Sequence, residues 1–250
     1  MCGRYVIEDF QELSERLTNV MVDIQFRLRP TWNAAPSQLL PVLVEAEDEE
    51  SWQVRGMSWG LVPRWTKPGD RPKVTPINAR AETVAEKPMF RSLLRQRRCI
   101  VPANGFYEWQ RGGQRAGQHM DEGKSASKQP YYIHLKNDPL MLFAGLYDEA
   151  TGIDGEPFES YTIITTAANA PMAQVHDRMP VILDPEDIEH WLSRSETHSE
   201  PLECMLKPAP DDAIDLYPVS PAVNSPRNDE PDLIDPLEEQ PMLVTDDDEH

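Results

Sequence analysis

The shortness of its apolar runs most constrains what this chain can fold into. Segments with strand character recur from end to end, at 38–44, 52–62, 99–109, 131–135, 140–147, 160–165, 179–183 and 217–223. They are rich in Val, Ile, Tyr, Phe, Trp and Thr, which suit a pleated, half-buried surface. Trp52, Val54, Gly56, Ser58 and Gly60 alternate along one run and are expected to share a face. Pro41 lies inside another run, and its missing N–H predicts an edge strand or a bulge there. Residues 99–109 read as strand, turn, strand.

Short helical patterns interrupt the strands. Phe10, Leu13 and Leu17 fall on one face of a helix expected over 8–18, with Glu8 and Asp9 at its positive end. Another is expected to open within 76–83, and a third over 89–97 with Phe90, Leu93 and Leu94 inward and Arg91, Arg95 and Arg98 outward. Ala168-Asn169-Ala170-Pro171 caps a short helix ending near His176. Asp184-Pro185 starts one that carries Ile188, Trp191 and Leu192. The interleaving predicts an α+β fold: a single domain built on an antiparallel, barrel-like β-sheet with peripheral short helices. The domain is expected to span 1–226. Residues 111–128, rich in Gly, Gln, Ser and Lys, read as a mobile loop, and the acidic stretch 227–250 as a disordered tail.

The net charge of −19 argues against a nucleic-acid partner until its distribution is read. Residues 51–116 carry 13 Lys+Arg against 4 Asp+Glu, whereas 117–250 carry 7 against 29. A local basic face can hold phosphates despite a repulsive total, with help from screening. No apolar run approaches the ~18 residues of a membrane span, and no apolar leader precedes the first strand. The three cysteines, Cys2, Cys99 and Cys204, are odd in number and far apart, which favours a reducing compartment over a disulfide framework. A cytoplasmic protein is therefore expected, nucleoid-associated if bacterial. Neither CxxC nor HExxH occurs, so neither a metal nor a cofactor is expected.

Cys2 has a chemistry that no internal cysteine shares. Once Met1 is removed, an α-amine and a thiol sit on adjacent carbons. Such a 1,2-aminothiol captures an aldehyde as a five-membered thiazolidine: the amine condenses to an iminium, then the sulfur closes on it. Proximity makes the second step effectively unimolecular. Both groups ordinarily titrate near neutrality, the amine at about 8 and the thiol at about 8.5, so each has a nucleophilic fraction.

Four ordered motifs accompany this terminus: Met1-Cys2-Gly3-Arg4-Tyr5; Trp59-Gly60-Leu61-Val62-Pro63-Arg64-Trp65 with Ile77-Asn78-Ala79-Arg80-Ala81-Glu82-Thr83; Arg97 to Trp109; and Val175-His176-Asp177-Arg178-Met179-Pro180. Together they resemble the SRAP family, whose name denotes an SOS-response-associated peptidase and whose members shield abasic sites in single-stranded DNA by a covalent link through the N-terminal cysteine. The resemblance runs from Cys2 to about Asn224. It implies that Cys2 is the crosslinking residue, Asn78 the active-site asparagine, Glu108 the acidic catalytic residue and His176 the catalytic histidine. It also implies a DNA-damage role, self-removal of Met1, and an abasic-site lyase side reaction. Independently, ring opening of the sugar and iminium formation both need proton transfer. Glu108, flanked by Tyr107 and Trp109, is placed for desolvation to adapt it to that task, as His176 is by its ordinary titration range.

For the DNA, Arg4, Arg80 and Arg178 each neighbour a presumptive catalytic residue and are candidates for phosphate contacts. Trp59, Trp65 and above all Trp109 are candidates for base stacking. Asn33, Pro36 and Thr165 are expected to line the site. Single-stranded DNA bearing abasic sites is the expected partner, with no membrane, a monomeric chain, and a tail open to replication or repair proteins. Competing readings are a thiol peptidase using Cys2 and His176, and a noncovalent single-stranded-DNA-binding module. Cys99, in an apolar strand, reads as an inert buried thiol, and Cys204 as incidental on a helix.

Overall fold

The computed structural model describes residues 2–8, 20–22, 29–46, 51–70, 75–110, 128–152 and 154–237. The helix expected over 8–18, the loop expected at 111–128 and the end of the tail fall almost wholly outside those residues. Among the described residues the strands are β1 Tyr5–Ile7, β2 Val20–Val22, β3 Thr31–Ala34, β4 Leu39–Glu45, β5 Trp52–Trp59 and β6 Asn78–Arg80. They continue with β7 Arg98–Ala103, β8 Gly105–Trp109, β9 Pro130–Leu135, β10 Met141–Thr151, β11 Pro157–Ala167, β12 Arg178–Pro180 and β13 Ile214–Pro218. Four short helices, α1 Ala81–Val84, α2 Arg91–Gln96, α3 Ile188–Leu192 and α4 Ser199–Cys204, lie between them. No helix among the described residues is long and apolar enough to cross a membrane.

Strands β11, β10, β7, β4 and β5 form a closed barrel. Its antiparallel ring is closed by one parallel contact, Ser160 opposite Ser58 and Tyr161 opposite Trp59. β6 and β12 continue the ladder along β11, and β2 along β5. A second, antiparallel sheet runs β13-β9-β8-β1-β3. The expected barrel-like α+β fold is thus observed, with closure rather than an open sheet removing the exposed edges.

Both barrel faces are apolar, and the period of two decides which residue goes where. Val42, Met57, Trp59, Val101, Phe143 and Ile163 point inward, where they meet Tyr5, Ile7 and Phe106 of the second sheet. Their neighbours Leu43, Val54, Ile100, Leu142 and Ile164 point outward against Leu93, Leu94, Ile188 and Trp191 of the helices. In β5, Val54 and Trp52 share the outer face, as the alternation implied, while Met57 and Trp59 take the interior. Pro41 is not on an edge, since β4 runs between β5 and β7. β4 meets β7 only at Leu43 opposite Ile100, so the missing N–H of Pro41 leaves no gap in that ladder.

One further expectation is refined and two change. Asn78 to Arg80 is strand, because it pairs with Ile163 to Thr165, and the helix expected within 76–83 starts at Ala81. Arg98 is 3% exposed rather than outward: its guanidinium donates to the carbonyls of Leu94, Trp191 and Ser193, joining the ends of α2 and α3. Burial without a carboxylate partner on those bonds lowers its pKa to about 10. Finally, the chain is folded well past 226. A turn at Pro221–Asn224 and another at Pro231–Ile234 bury Val223 and Leu233 against Val6, Tyr107 and Tyr132, on the face of the second sheet away from the barrel. Leu233→Ala is therefore expected to lower stability by about 2–4 kcal/mol; a urea unfolding midpoint equal to that of the unsubstituted protein would mean this segment is not packed.

Candidate active site

β1 lies in the middle of the second sheet, with Tyr5 opposite Ala34 of β3 and Phe106 of β8. Tyr5 and Val6 are 0% exposed and Ile7 2%. The Tyr107 N–H donates to the Arg4 carbonyl at 3.0 Å, and Cys2 and Gly3 project beyond that bond. Cys2 reaches into the barrel's apolar cluster and is 1% exposed. Burial raises its thiol pKa strongly, and the nearby negative charge of Glu108 raises it further. The positive charge of the chain's N-terminus opposes them, as does a backbone N–H from Arg4 to the sulfur. Beside it the Tyr5 and Tyr161 hydroxyls are 2.6 Å apart, and the Tyr161 ring stacks on Trp59.

Glu108 is buried on β8, the strand next to β1. Its Oε2 accepts the Trp109 N–H at 3.2 Å, and its Oε1 lies 3.8 Å from His176 Nδ1. His176 is held on a turn: Asn169 Oδ1 accepts the Met172 N–H, and the Met172 carbonyl accepts the His176 N–H. The ring's Nδ1 is served in either protonation state. Unprotonated, it accepts the Arg178 N–H at 3.0 Å; protonated, it faces Asp177 Oδ1 at 3.1 Å and the Glu108 carboxylate. An imidazole with partners for both states is suited to passing a proton. The fold therefore brings Cys2, Glu108 and His176 together.

Asn78, the fourth expected residue, is fixed by β6. Its Nδ2 donates to the Ile77 carbonyl at 2.9 Å, and Ile77 packs on the cluster that contains Cys2. Asn78 Oδ1 is buried without a hydrogen-bond partner among the described residues. Such an orphan costs about 1–3 kcal/mol unless water or a ligand reaches it. Among the described residues, no three His, Cys, Asp or Glu side chains are grouped so that they could hold a metal ion.

The residues expected to touch DNA divide into two sets. Arg80 is exposed two rungs along β6 from Asn78, Pro36 and Trp109 are half-buried, and Trp65 is 57% exposed. The others serve the protein itself. Asn33 is 1% exposed: its Nδ2 donates to the carbonyls of Val223, Ser225 and Asn228, and its Oδ1 accepts from Arg4. Thr165 is buried with its hydroxyl on the Ala79 carbonyl, and Trp59 is a core residue with its indole N–H on Ile77. In the free chain, then, Asn33, Thr165 and Trp59 are each bonded within the protein. The Arg4 guanidinium also donates to the Val223 carbonyl, and Arg178 grips both carboxylate oxygens of Glu82, at 2.6 and 2.9 Å.

With this arrangement in view, the comparisons are decisive for kinship. The family model described as SOS response associated peptidase (SRAP) matches residues 1–226. The chain belongs to the SRAP family. It is 38% identical over 236 residues to a Bacillus subtilis protein named abasic site processing protein YoqW, covering 94% of this chain and 99% of that one. It is 35% identical over 241 residues to the Gallus gallus abasic site processing protein HMCES, covering 85% and 68%. A crystal structure from Bacteroides thetaiotaomicron superposes with a TM-score of 0.78 at 29% identity, over 94% of this SRAP chain and 99% of its counterpart.

Sequence reasoning missed Asp177, Glu82, Asn224 and Asp229 as neighbours of the site. Glu82 and Asp177 were within quoted motifs, but their partners are distant in the chain. Asn224 and Asp229 lie at the start of an acid-rich stretch whose composition suggests solvent. One consequence of the electrostatics is measurable. The Glu108 charge disfavours a thiolate at Cys2, so Glu108→Gln lowers that thiol's pKa and raises the thiolate fraction at any given pH below it. Iodoacetamide labelling of Cys2, followed by mass spectrometry across a pH series, is expected to shift its midpoint downward; an unmoved or higher midpoint contradicts the coupling.

Proposed function

We propose that this SRAP protein processes abasic sites by trapping them: processed Cys2 forms a thiazolidine with the ring-opened aldehyde of an abasic sugar in single-stranded DNA. The observation that carries this reading is the convergence of Cys2 with Glu108 and His176. The names of its relatives, abasic site processing proteins, support the substrate. Hydrolysis of the Met1–Cys2 bond frees the amine, whether by this protein or by an aminopeptidase. The amine then adds to the aldehyde carbon and water leaves, giving an iminium. The sulfur adds to the same carbon, neutralises the cation and closes the ring. One water is released overall.

The raised thiol pKa orders these steps. A buried thiol beside a carboxylate is a poor first nucleophile, so the amine acts first. The iminium's positive charge, one carbon removed from the thiol-bearing carbon, then favours the thiolate that closes on it. Glu108 and His176 move the protons: one opens the cyclic hemiacetal, and the other assists loss of water. Asn78 Oδ1 is suited to accept from the freed amine and hold it toward the aldehyde. Arg80 is the leading phosphate contact, with Trp109 and Pro36 flanking the sugar's neighbours. The same thermodynamics disfavour a general thiol peptidase, which needs a stabilised thiolate at rest. Loss of a proton from the iminium's neighbouring carbon, with departure of the 3′ phosphate, would give the lyase side reaction.

Met-processed protein mixed with an abasic oligonucleotide is expected to gain the oligonucleotide's mass less one water. Cys2→Ala should give none of this adduct, and equal yield would falsify the assignment. Glu108→Gln and His176→Ala should each slow the single-turnover rate by about 10²–10⁴-fold. Lesion-independent, salt-sensitive binding with no adduct would favour the noncovalent module instead.

A further inference from the structure

Arg4 is the last residue before the reactive terminus that the sheet holds, and its side chain is held in turn by a segment far along the chain. Its Nη1 donates to Asn33 Oδ1 and to the Val223 carbonyl, each at 2.9 Å. Its own backbone N–H points to the Cys2 sulfur. Asn33 is fixed by two sets of bonds. Its Nδ2 reaches the carbonyls of Val223, Ser225 and Asn228 at 3.2, 3.0 and 2.8 Å. Its backbone N–H donates to Asp229 Oδ1 at 3.0 Å. The same carboxylate oxygen accepts from the Trp32 N–H at 2.6 Å and the Thr31 hydroxyl at 2.9 Å. One exposed acidic residue thus pins the first three residues of β3, and β3 pins Arg4. Asn224 of the same segment bridges to Trp109: its carbonyl accepts from Arg4 Nη2 at 3.5 Å and its Oδ1 accepts the Trp109 indole N–H at 2.6 Å, next to Glu108.

We infer that the segment from Val223 to Asp229 is a working part of the crosslinking site, with Asp229 and Asn33 as positioning residues that act through Arg4 to aim Cys2. The inference rests on the crosslinking reading above. It accounts for a feature that stability alone does not require. A surface carboxylate gathering three donors and a buried amide gathering three carbonyls both converge on the residue two places from the nucleophile. A ring-closing reaction is sensitive to aim: a displacement of about 1 Å can lower a rate about 100-fold. Cys2 and Gly3 lie beyond the Tyr107–Arg4 bond, so, besides the packing of Cys2 itself, the Arg4 side chain bears on their direction.

The test uses the full chain with Met1 removed, and measures two quantities. One is the crosslinking rate at saturating abasic oligonucleotide; the other is the affinity for the same oligonucleotide carrying an unreactive tetrahydrofuran in place of the abasic sugar. Asp229→Ala is expected to reduce the rate about 10- to 100-fold while changing that affinity less than about 2-fold. Arg4→Lys, which keeps the charge and loses the fork, should do the same. Because both act along one chain of contacts, the double variant should be no slower than the slower single variant. Asp229→Asn, which keeps an acceptor oxygen, should recover part of the loss. Unchanged rates in both single variants overturn the inference. So do multiplicative effects in the double variant, or an affinity that falls in step with the rate. If Asp229→Ala does not fold, Arg4→Lys decides alone by the same readouts. A wild-type protein that forms no adduct removes the crosslinking reading and this inference together, whereas a wild-type adduct with indifferent variants removes only the inference.

Discussion

A chain terminus ordinarily frays, because its backbone groups have water on one side and few contacts on the other. Here the terminus is the interior of a sheet. β1 is only three residues long, yet it is flanked by β3 and β8 and buried on both faces. Tyr5 and Ile7 enter the cluster shared with the barrel, and Val6 enters the cluster capped by the C-terminal segment. Burial of such side chains is worth about 1.5–3 kcal/mol each. That is enough to suppress fraying at Arg4 and leaves only Cys2 and Gly3 without a rung. The rest of the architecture follows from this requirement, since a three-residue strand cannot hold itself and needs a cover on each side.

The two covers are different in kind. On one side stands the barrel, closed by the parallel contact between β5 and β11. Closure fixes Tyr161 opposite Trp59. From there the ladder runs along β11 to the rungs that pair Ile163 with Asn78 and Ala167 with Arg178. Asn78 and the loop that carries His176 are therefore set by the same strand. On the other side the second sheet supplies Glu108 from β8, and the segment 219–237 seals its outer face. The site is where the barrel, the terminal strand and β8 meet, so no single element contains it.

Much of the fold was legible because strand periodicity is local. The runs at 99–109, 131–135, 140–147 and 160–165 all became strands near those bounds, and their alternation sorted Cys99 and Val101 from Ile100. What was not legible depended on contacts across the chain. β5 alternates, but only closure of the barrel tells which of its faces is interior. Arg98 looked like one more surface cation of α2, whereas three distant carbonyls draw it inside. The four residues that the resemblance implies were readable only through it, and the fold places three of them, Cys2, Glu108 and His176, together. Asn33 and Thr165 were identified as important positions, but their bonds point into the protein. Composition also misled at the C-terminal end: Asp229 and Glu230 belong to an acid-rich stretch, while Leu233 next to them is 3% exposed.

The same contrast bears on how a thiol can be both protected and reactive. A free aminothiol at a fully exposed terminus would meet every aldehyde in its surroundings, and its sulfur would be open to oxidation. In this site the sulfur is buried, and Glu108 adds a charge that keeps it protonated. Those features disfavour the thiolate at rest, and in the proposed reaction they would do so until a cation forms beside it. The only step that creates that cation is condensation of the amine with a carbonyl already in the site. If the proposed crosslinking holds, reactivity would be conditional on the first half of the reaction, using desolvation and one carboxylate in place of a moving part. Such a scheme tolerates little error in where the sulfur sits relative to the new carbon. In the proposed reaction that need for aim is a physical reason for the Asp229 and Asn33 hydrogen bonds to converge on Arg4.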